Sequence, residues 1–413
     1  MSSVESLFKI AVPDHKLKIL REKLELVTFP DELEEVGWKY GVPLVDMRRL
    51  VSRWRQGFDW RQEEENINNT LHQFTRDIQV DETHGTLNIH YVHHRSSIEG
   101  AIPLLFIHGW PGSFIEATKL IPLLTQPEST DFPSFHVVVM SLPGYGFSEA
   151  PKKPGFNASR HAEVGHKLMI ALGYEEYVTQ GGDWGFYITR RLAQMYGRTN
   201  VKAWHTNYPS AGAVAPTLSQ PLLYVKHLFT PYSAAEKAGL ERTNWFLTEG
   251  MGYNHEQSTQ PQTLGYALAD SPVGLLAWIY EKLKNWTDSY PWSDDEILTW
   301  VSLYYFSRAG PAASLRIYYE ATKAGDRVVP PSAKPIIPMG VSHFPKELRR
   351  APVTWIMNVG HLVFSSEHTS GGHFAAHEKP FELAADLRKM FGRKGIAYGV
   401  IPSRDGYRSS EGT

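Results

Sequence analysis

The chain has 413 residues, 42% of them hydrophobic and 21% charged, which is the make-up of an ordinary globular protein with room for one large core and an insertion. A net charge of −2 with no long basic run argues against nucleic acid or an anionic membrane as partners and leaves small molecules. With no cysteine, disulfides, thiol catalysis and thiolate metal sites are excluded.

The N-terminus has an early acid, Glu5, and neither a basic n-region nor an apolar h-region. No apolar run reaches the roughly 18 residues of a membrane span. A soluble, cytoplasmic protein without a membrane anchor is therefore expected. Residues 1–84 read as a polar helical arm: 16–26 carries Leu17, Ile19, Leu20, Leu24 and Leu26, and 45–54 is a second amphipathic stretch. In 86–92, Leu87, Ile89 and Tyr91 alternate with polar residues, as in a half-exposed first strand. The continuous apolar run at 102–107 suits a buried parallel strand, and 135–140, 177–180 and 201–204 repeat the buried-strand signal, with helical segments such as 162–172 between them. Residues 85–207 thus predict the first part of a doubly wound α/β core with a mostly parallel sheet.

Residues 208–333 lose the strand rhythm. Leu275, Leu276, Ile279 and Leu283 fall at helical spacing, and Ser293 before Asp294, Asp295 and Glu296 reads as an N-cap, so this segment is expected to be an inserted helical lid. Strand signal returns at 336–341 and 362–364. A last helix at 380–390 and a loose polar tail after Arg404 complete the second part of the core, 334–413.

Gly181-Gly182-Asp183-Trp184-Gly185 has the Gly-x-nucleophile-x-Gly form of a nucleophile elbow, with a carboxylate where an esterase carries serine. A carboxylate is ionised at neutral pH and needs no general base before attacking. Attack on an acyl group would give a high-energy anhydride; attack on a strained or activated sp3 carbon gives an alkyl ester that water can cleave. His108-Gly109-Trp110-Pro111-Gly112-Ser113 follows the buried strand at 102–107, where an α/β-hydrolase fold places its oxyanion loop. The backbone N–H groups of Trp110 and Trp184 are the expected oxyanion donors, each worth on the order of 3 kcal/mol. His373, in Gly371-Gly372-His373-Phe374, stands after the last strand and before the last helix, where that fold keeps its histidine. Glu347, just past the strand at 336–341, is its candidate acid.

Two other motifs fail on chemistry. His373 and His377 have the spacing of a zinc helix, but Phe374 stands where the glutamate of HExxH belongs and Gly371-Gly372 breaks a helix. Pro143-Gly144-Tyr145-Gly146 lacks the third glycine of a dinucleotide loop. No metal and no cofactor are expected.

Taken together, the Asp183 elbow, HGWPGS at 108–113, LPGYGFSE at 142–149, FPKEL at 344–348 and GGHFAA at 371–376 resemble the microsomal-type epoxide hydrolases of the α/β-hydrolase fold. WKYGVPL at 38–44, FDWR at 58–61 and TLGYALADSPVGLLAWI at 263–279 extend the resemblance over nearly the whole chain. It implies conversion of an epoxide and water to a vicinal diol through an ester on Asp183, with the pair His373 and Glu347 activating water. It also implies two lid tyrosines that protonate the epoxide oxygen, matched here by Tyr253 and Tyr318, with Tyr319 the alternative to Tyr318. Relatives are often dimers, so the resemblance makes a homodimer a candidate assembly. Haloalkane dehalogenation uses the same aspartate and is the alternative reaction, since Trp184 suits both; a binding protein on the same fold is the alternative without turnover.

Overall fold

The computed structural model describes residues 5–209, 213–327 and 333–408. The strand segments at 102–107, 135–140 and 177–181 are buried along their whole length, and strands buried on both faces belong inside a parallel sheet. The sheet comprises β1 (Ser6–Phe8), β2 (Gln73–Asp81), β3 (Gly85–His94), β4 (Ile102–Ile107), β5 (Phe135–Met140), β6 (Tyr177–Gly181), β7 (Val201–Thr206), β8 (Pro338–His343) and β9 (His361–Glu367). Their order is β1-β2-β3-β5-β4-β6-β7-β8-β9. The pairs from β5 through β9 are parallel, and β1, β2 and β3 add antiparallel pairs at one edge.

This order positions the site. From β4 the chain moves outward to β5 and then crosses back over β4 to β6, so β4 and β6 flank the point where the winding reverses. In open α/β sheets the crevice at the carboxyl ends of such strands is where ligands bind. The loop His108 to Ser113 leaves β4 there and Asp183 leaves β6 there. Leu104, Leu105, Ile107, Val138, Val139 and Val178 beneath them are fully buried, and truncating any one to alanine should cost about 2–5 kcal/mol.

Between β7 and β8 the described residues are largely helical; residues 210–212 and 328–332 of the segment 208–333 lie outside the described set. Leu275, Leu276, Ile279 and Leu283 are buried on the helix Pro272–Trp286. Ser293 caps Asp294–Tyr305 by accepting the Glu296 N–H.

Several expectations are corrected. The arm is not wholly helical, because β1 and β2 join the sheet. In β2 the buried residues Ile78 and Val80 alternate with exposed ones, a period-2 pattern that charged neighbours obscure. The segment 86–92 belongs to β3, the third strand and not the first, and it is mostly buried because β2 and β5 pair with its two edges. Ile19 and Leu26, assigned to an apolar stripe, are exposed. The stretch after Arg404 is not loose through its described part: Tyr407 is buried and its hydroxyl donates to the Asp131 carbonyl. The tail from 409 on lies outside the described residues.

The arm helices also pack on the insertion. Arg53 makes a two-pronged ion pair with Asp295, at 2.7 Å for each bond, and Tyr280 donates to Asp46. The arm, continuous in the chain with the edge strands, is thus held by an ion pair and a hydrogen bond on the helices of the insertion.

Candidate active site

Asp183 sits between β6 and the helix Trp184–Tyr196 with φ +50° and ψ −123°, a conformation an L-residue adopts only under constraint. The constraint is close packing of glycines. A Cβ on Gly185 would overlap the Ile107 carbonyl, and one on Gly181 would lie 2.7 Å from the Gly185 carbonyl oxygen. The strained turn holds the carboxylate above the carboxyl edge of the sheet.

From β4, the Trp110 N–H donates to Asp183 Oδ1 at 2.8 Å. The loop bearing Trp110 is fixed from both sides. His108 Nδ1 donates to the Gly109 carbonyl at 2.9 Å, and His108 Nε2 accepts the Leu142 N–H at 3.2 Å. Burial lowers the His108 pKa to about 4, which keeps the ring in the neutral form these two bonds need. From the insertion, Trp300 donates to the Pro111 carbonyl and Tyr304 to the Gly112 carbonyl. The Trp184 N–H opens its helix and so has no acceptor within it.

On the other side of Asp183, His373 Nε2 lies 3.4 Å from Asp183 Oδ2, and His373 Nδ1 lies 2.5 Å from Glu347 Oε1. Backbone pairing joins these two loops, the Lys346 N–H donating to the Gly371 carbonyl, and the His373 N–H donates to the Trp286 carbonyl at the end of an insertion helix. His373 and Glu347 are buried and Asp183 is partly so. Burial alone would lower the His373 pKa, but the carboxylates of Glu347 and Asp183 outweigh it and raise it to about 10, so His373 rests as an imidazolium between two anions.

Tyr253 on Gly252–Thr259 and Tyr318 on Arg316–Lys323 come from the insertion. Trp110 stacks on Tyr253 at 5.3 Å and meets Tyr318 edge-on at 5.7 Å, while Trp184 meets Tyr318 at 4.7 Å. Both phenols are buried, and burial, followed by other negative groups that include Asp183, raises their pKa values well above the ordinary tyrosine range. The Tyr318 hydroxyl has no hydrogen-bond partner among the described residues. Tyr319 faces away, half-exposed beneath the Lys323 ammonium.

A family model described as "Epoxide hydrolase N terminus" matches residues 5–117, and one described as "alpha/beta hydrolase fold" matches 102–232. Epoxide hydrolase 1 of Sus scrofa is 36% identical over 93% of this chain and 88% of its own. The chain belongs to the epoxide hydrolase family. Among solved structures, epoxide hydrolase from Aspergillus niger matches with a TM-score of 0.80 at 35% identity, over 93% of this chain and 95% of that one. Juvenile hormone epoxide hydrolase from Bombyx mori matches with a TM-score of 0.82 at 31% identity, over 93% of each chain. Like other epoxide hydrolases, this one is built on the α/β-hydrolase fold, and no helix among its described residues is long and apolar enough to cross a membrane.

The structure brings Asp183, Trp110, His373, Glu347, Tyr253 and Tyr318 together around one crevice, and Tyr319 lies outside it. His377 turns elsewhere: its Nε2 bonds Glu296 Oε1 at 2.7 Å while His373 Nε2 faces Asp183, so the two rings do not converge on a common metal position. Two lining residues, Glu116 and Asn207, escape a reading of the sequence. A signal for Glu116 existed: it stands three residues after Ser113, which caps the short helix Phe114–Ala117, so it returns to the oxyanion loop after one turn.

Proposed function

We propose that this epoxide hydrolase opens its substrate by attack of Asp183 and then hydrolyses the resulting ester. What supports this reading most is the division of labour between the two Asp183 oxygens. Oδ1 is bound by the Trp110 N–H, leaving Oδ2, beside His373, free to attack. As the new C–O bond forms and the epoxide C–O bond breaks, the alkoxide takes a proton from Tyr253 or Tyr318. A halide would need no such donor, and two buried phenols over the nucleophile favour the epoxide over the haloalkane.

Alkylation cancels the Asp183 charge. One of the two anions that keep His373 protonated is then gone, and its pKa should fall. The proton it releases restores the phenol, and neutral His373 then accepts a proton from water as that water attacks Asp183 Cγ. The developing oxyanion remains on the Trp110 N–H, with the Trp184 N–H as second donor. Functionally, the chain divides into an arm (1–84), a core (85–207 and 334–413) and a lid (208–333) that carries the proton donors.

His373→Gln tests the order of steps. With styrene oxide it should form about one equivalent of ester and stall, so the intact protein should gain the mass of one substrate molecule. No adduct on a folded variant that still binds the epoxide would place the histidine in the alkylation step.

A further inference from the structure

Beneath Asp183 and His373 lies a cavity of about 10 Å3, lined in part by Gly109, Trp110, Glu116, Asp183, Asn207 and His373. That is close to the roughly 10–15 Å3 that the centre of one water molecule requires. It is too small for a carbon substrate, and Tyr253 and Tyr318 do not line it. The side of Asp183 that could receive water is thus separate from the side where the phenols gather.

We propose that Glu116 is a further catalytic residue, which together with Asn207 holds the hydrolytic water in this cavity between Asp183 Cγ and His373 Nε2. The proposal rests on the reading that Asp183 forms an ester. Glu116 is buried and belongs to the turn that directly follows the oxyanion loop. Its carboxyl reaches the site because position 112 is glycine: a Cβ there would coincide with Glu116 Oε1. Asn207 is held by its own bonds, its Oδ1 accepting from Gln180 Nε2 at 3.0 Å and its Nδ2 donating to the His373 carbonyl at 3.4 Å. Gly182 leaves it room, since a Cβ there would come within 2.8 Å of both carboxamide heteroatoms.

The chemistry asks for a polar group that brings no further charge. Burial, with Asp183 acting in the same direction and His373 against it, raises the Glu116 pKa to about 8, so at neutral pH it is mostly a carboxylic acid that can both donate and accept. Water needs one O–H aimed at His373 Nε2 and a lone pair aimed at Cγ; Glu116 can accept its second O–H. When the water oxygen bonds to Cγ, its first proton passes to His373. The bond between Cγ and the ester oxygen then breaks, and the diol oxygen takes the second proton from the new Asp183 carboxyl. Asp183 is again a carboxylate and His373 again an imidazolium.

The test is rapid-quench kinetics with styrene oxide, reading ester formation and ester loss separately by intact-protein mass. Glu116→Met, close in size but unable to hydrogen-bond in this way, should slow alkylation by less than about 3-fold and ester hydrolysis by about 10- to 100-fold, so ester accumulates. Glu116→Gln keeps a donor and an acceptor and should recover most of that loss, hydrolysing about 3- to 10-fold slower than wild type. Unchanged hydrolysis in Glu116→Met, or equal slowing of both steps, would overturn the proposal. If the methionine variant does not fold, a 100-fold loss in Glu116→Gln would overturn it as well. Failure of the Asp183 reading looks different, because the wild-type enzyme would then show no ester at all.

Discussion

The core and the helical insertion build their shares of the crevice by different means. Asp183, Trp110, Glu347 and His373 stand on short loops at the carboxyl ends of strands, and directional hydrogen bonds tie those loops to one another and, at His373, to the Trp286 carbonyl. Tyr253 and Tyr318 are oriented by aromatic contacts with Trp110 and Trp184, which come from the core. On the proposed mechanism, the groups that would make and break bonds at Asp183 are held by hydrogen bonds, and the phenols that would only have to reach an alkoxide sit in a packed but less directional setting.

If that contrast holds, loss of the insertion's two phenols should fall on ring opening alone. Tyr253→Phe combined with Tyr318→Phe should nearly abolish alkylation of Asp183 while leaving hydrolysis of a preformed ester close to normal. Each single change should cost about 10- to 1000-fold in alkylation, because one phenol remains. Tyr319→Phe should be silent, and a loss there instead would mean that the helix Arg316–Lys323 presents its other face to the substrate.

Damage to the core should show in the histidine. Glu347→Gln removes the first anion supporting His373 and should lower its pKa, readable by imidazole NMR, and slow ester hydrolysis by about 10- to 100-fold with less effect on alkylation. The same pair links stability to pH. The folded His373 pKa, near 10, exceeds the ordinary value of about 6.5, so this stabilisation is complete below about pH 6.5 and fades as pH rises toward 10. The Tm gap between wild type and Glu347→Gln should therefore be wider at pH 6 than at pH 10; a constant gap would contradict the charged pairing. The smallest effect is expected at the seam between the two regions. His377→Leu breaks the bond to Glu296, which keeps Tyr290 as a donor at 2.7 Å, so a loss of about 1–2 kcal/mol in stability and a change in turnover of only a few-fold are expected.

What the sequence made legible follows from how local each feature is. The Asp183 elbow is a strand, a turn and a helix in adjacent residues, and its glycines are demanded by contacts within a few residues of it and with β4. The loops of His373 and Glu347 could be found because each follows a recognisable strand. Tyr318 could be separated from Tyr319 only by the helix face that packs on Trp110 and Trp184, which depends on the assembled fold. The edge strands were illegible for a different reason: β1 has three residues, and Arg76 and Asp77 interrupt the alternation of β2. Glu116 carries no reactive motif of its own; its place one turn after Ser113 points it back to the loop of Trp110, but only the assembled fold buries it beside Asp183.

The central claim, that Asp183 and not water opens the epoxide, is tested most directly by a single turnover in 18O-water with enzyme in excess. The diol should carry no label, because its new oxygen comes from Asp183 Oδ2, and mass analysis of the peptide containing Asp183 should find one heavy oxygen in that carboxylate. Label in the first-turnover diol with an unlabelled Asp183 would contradict the account.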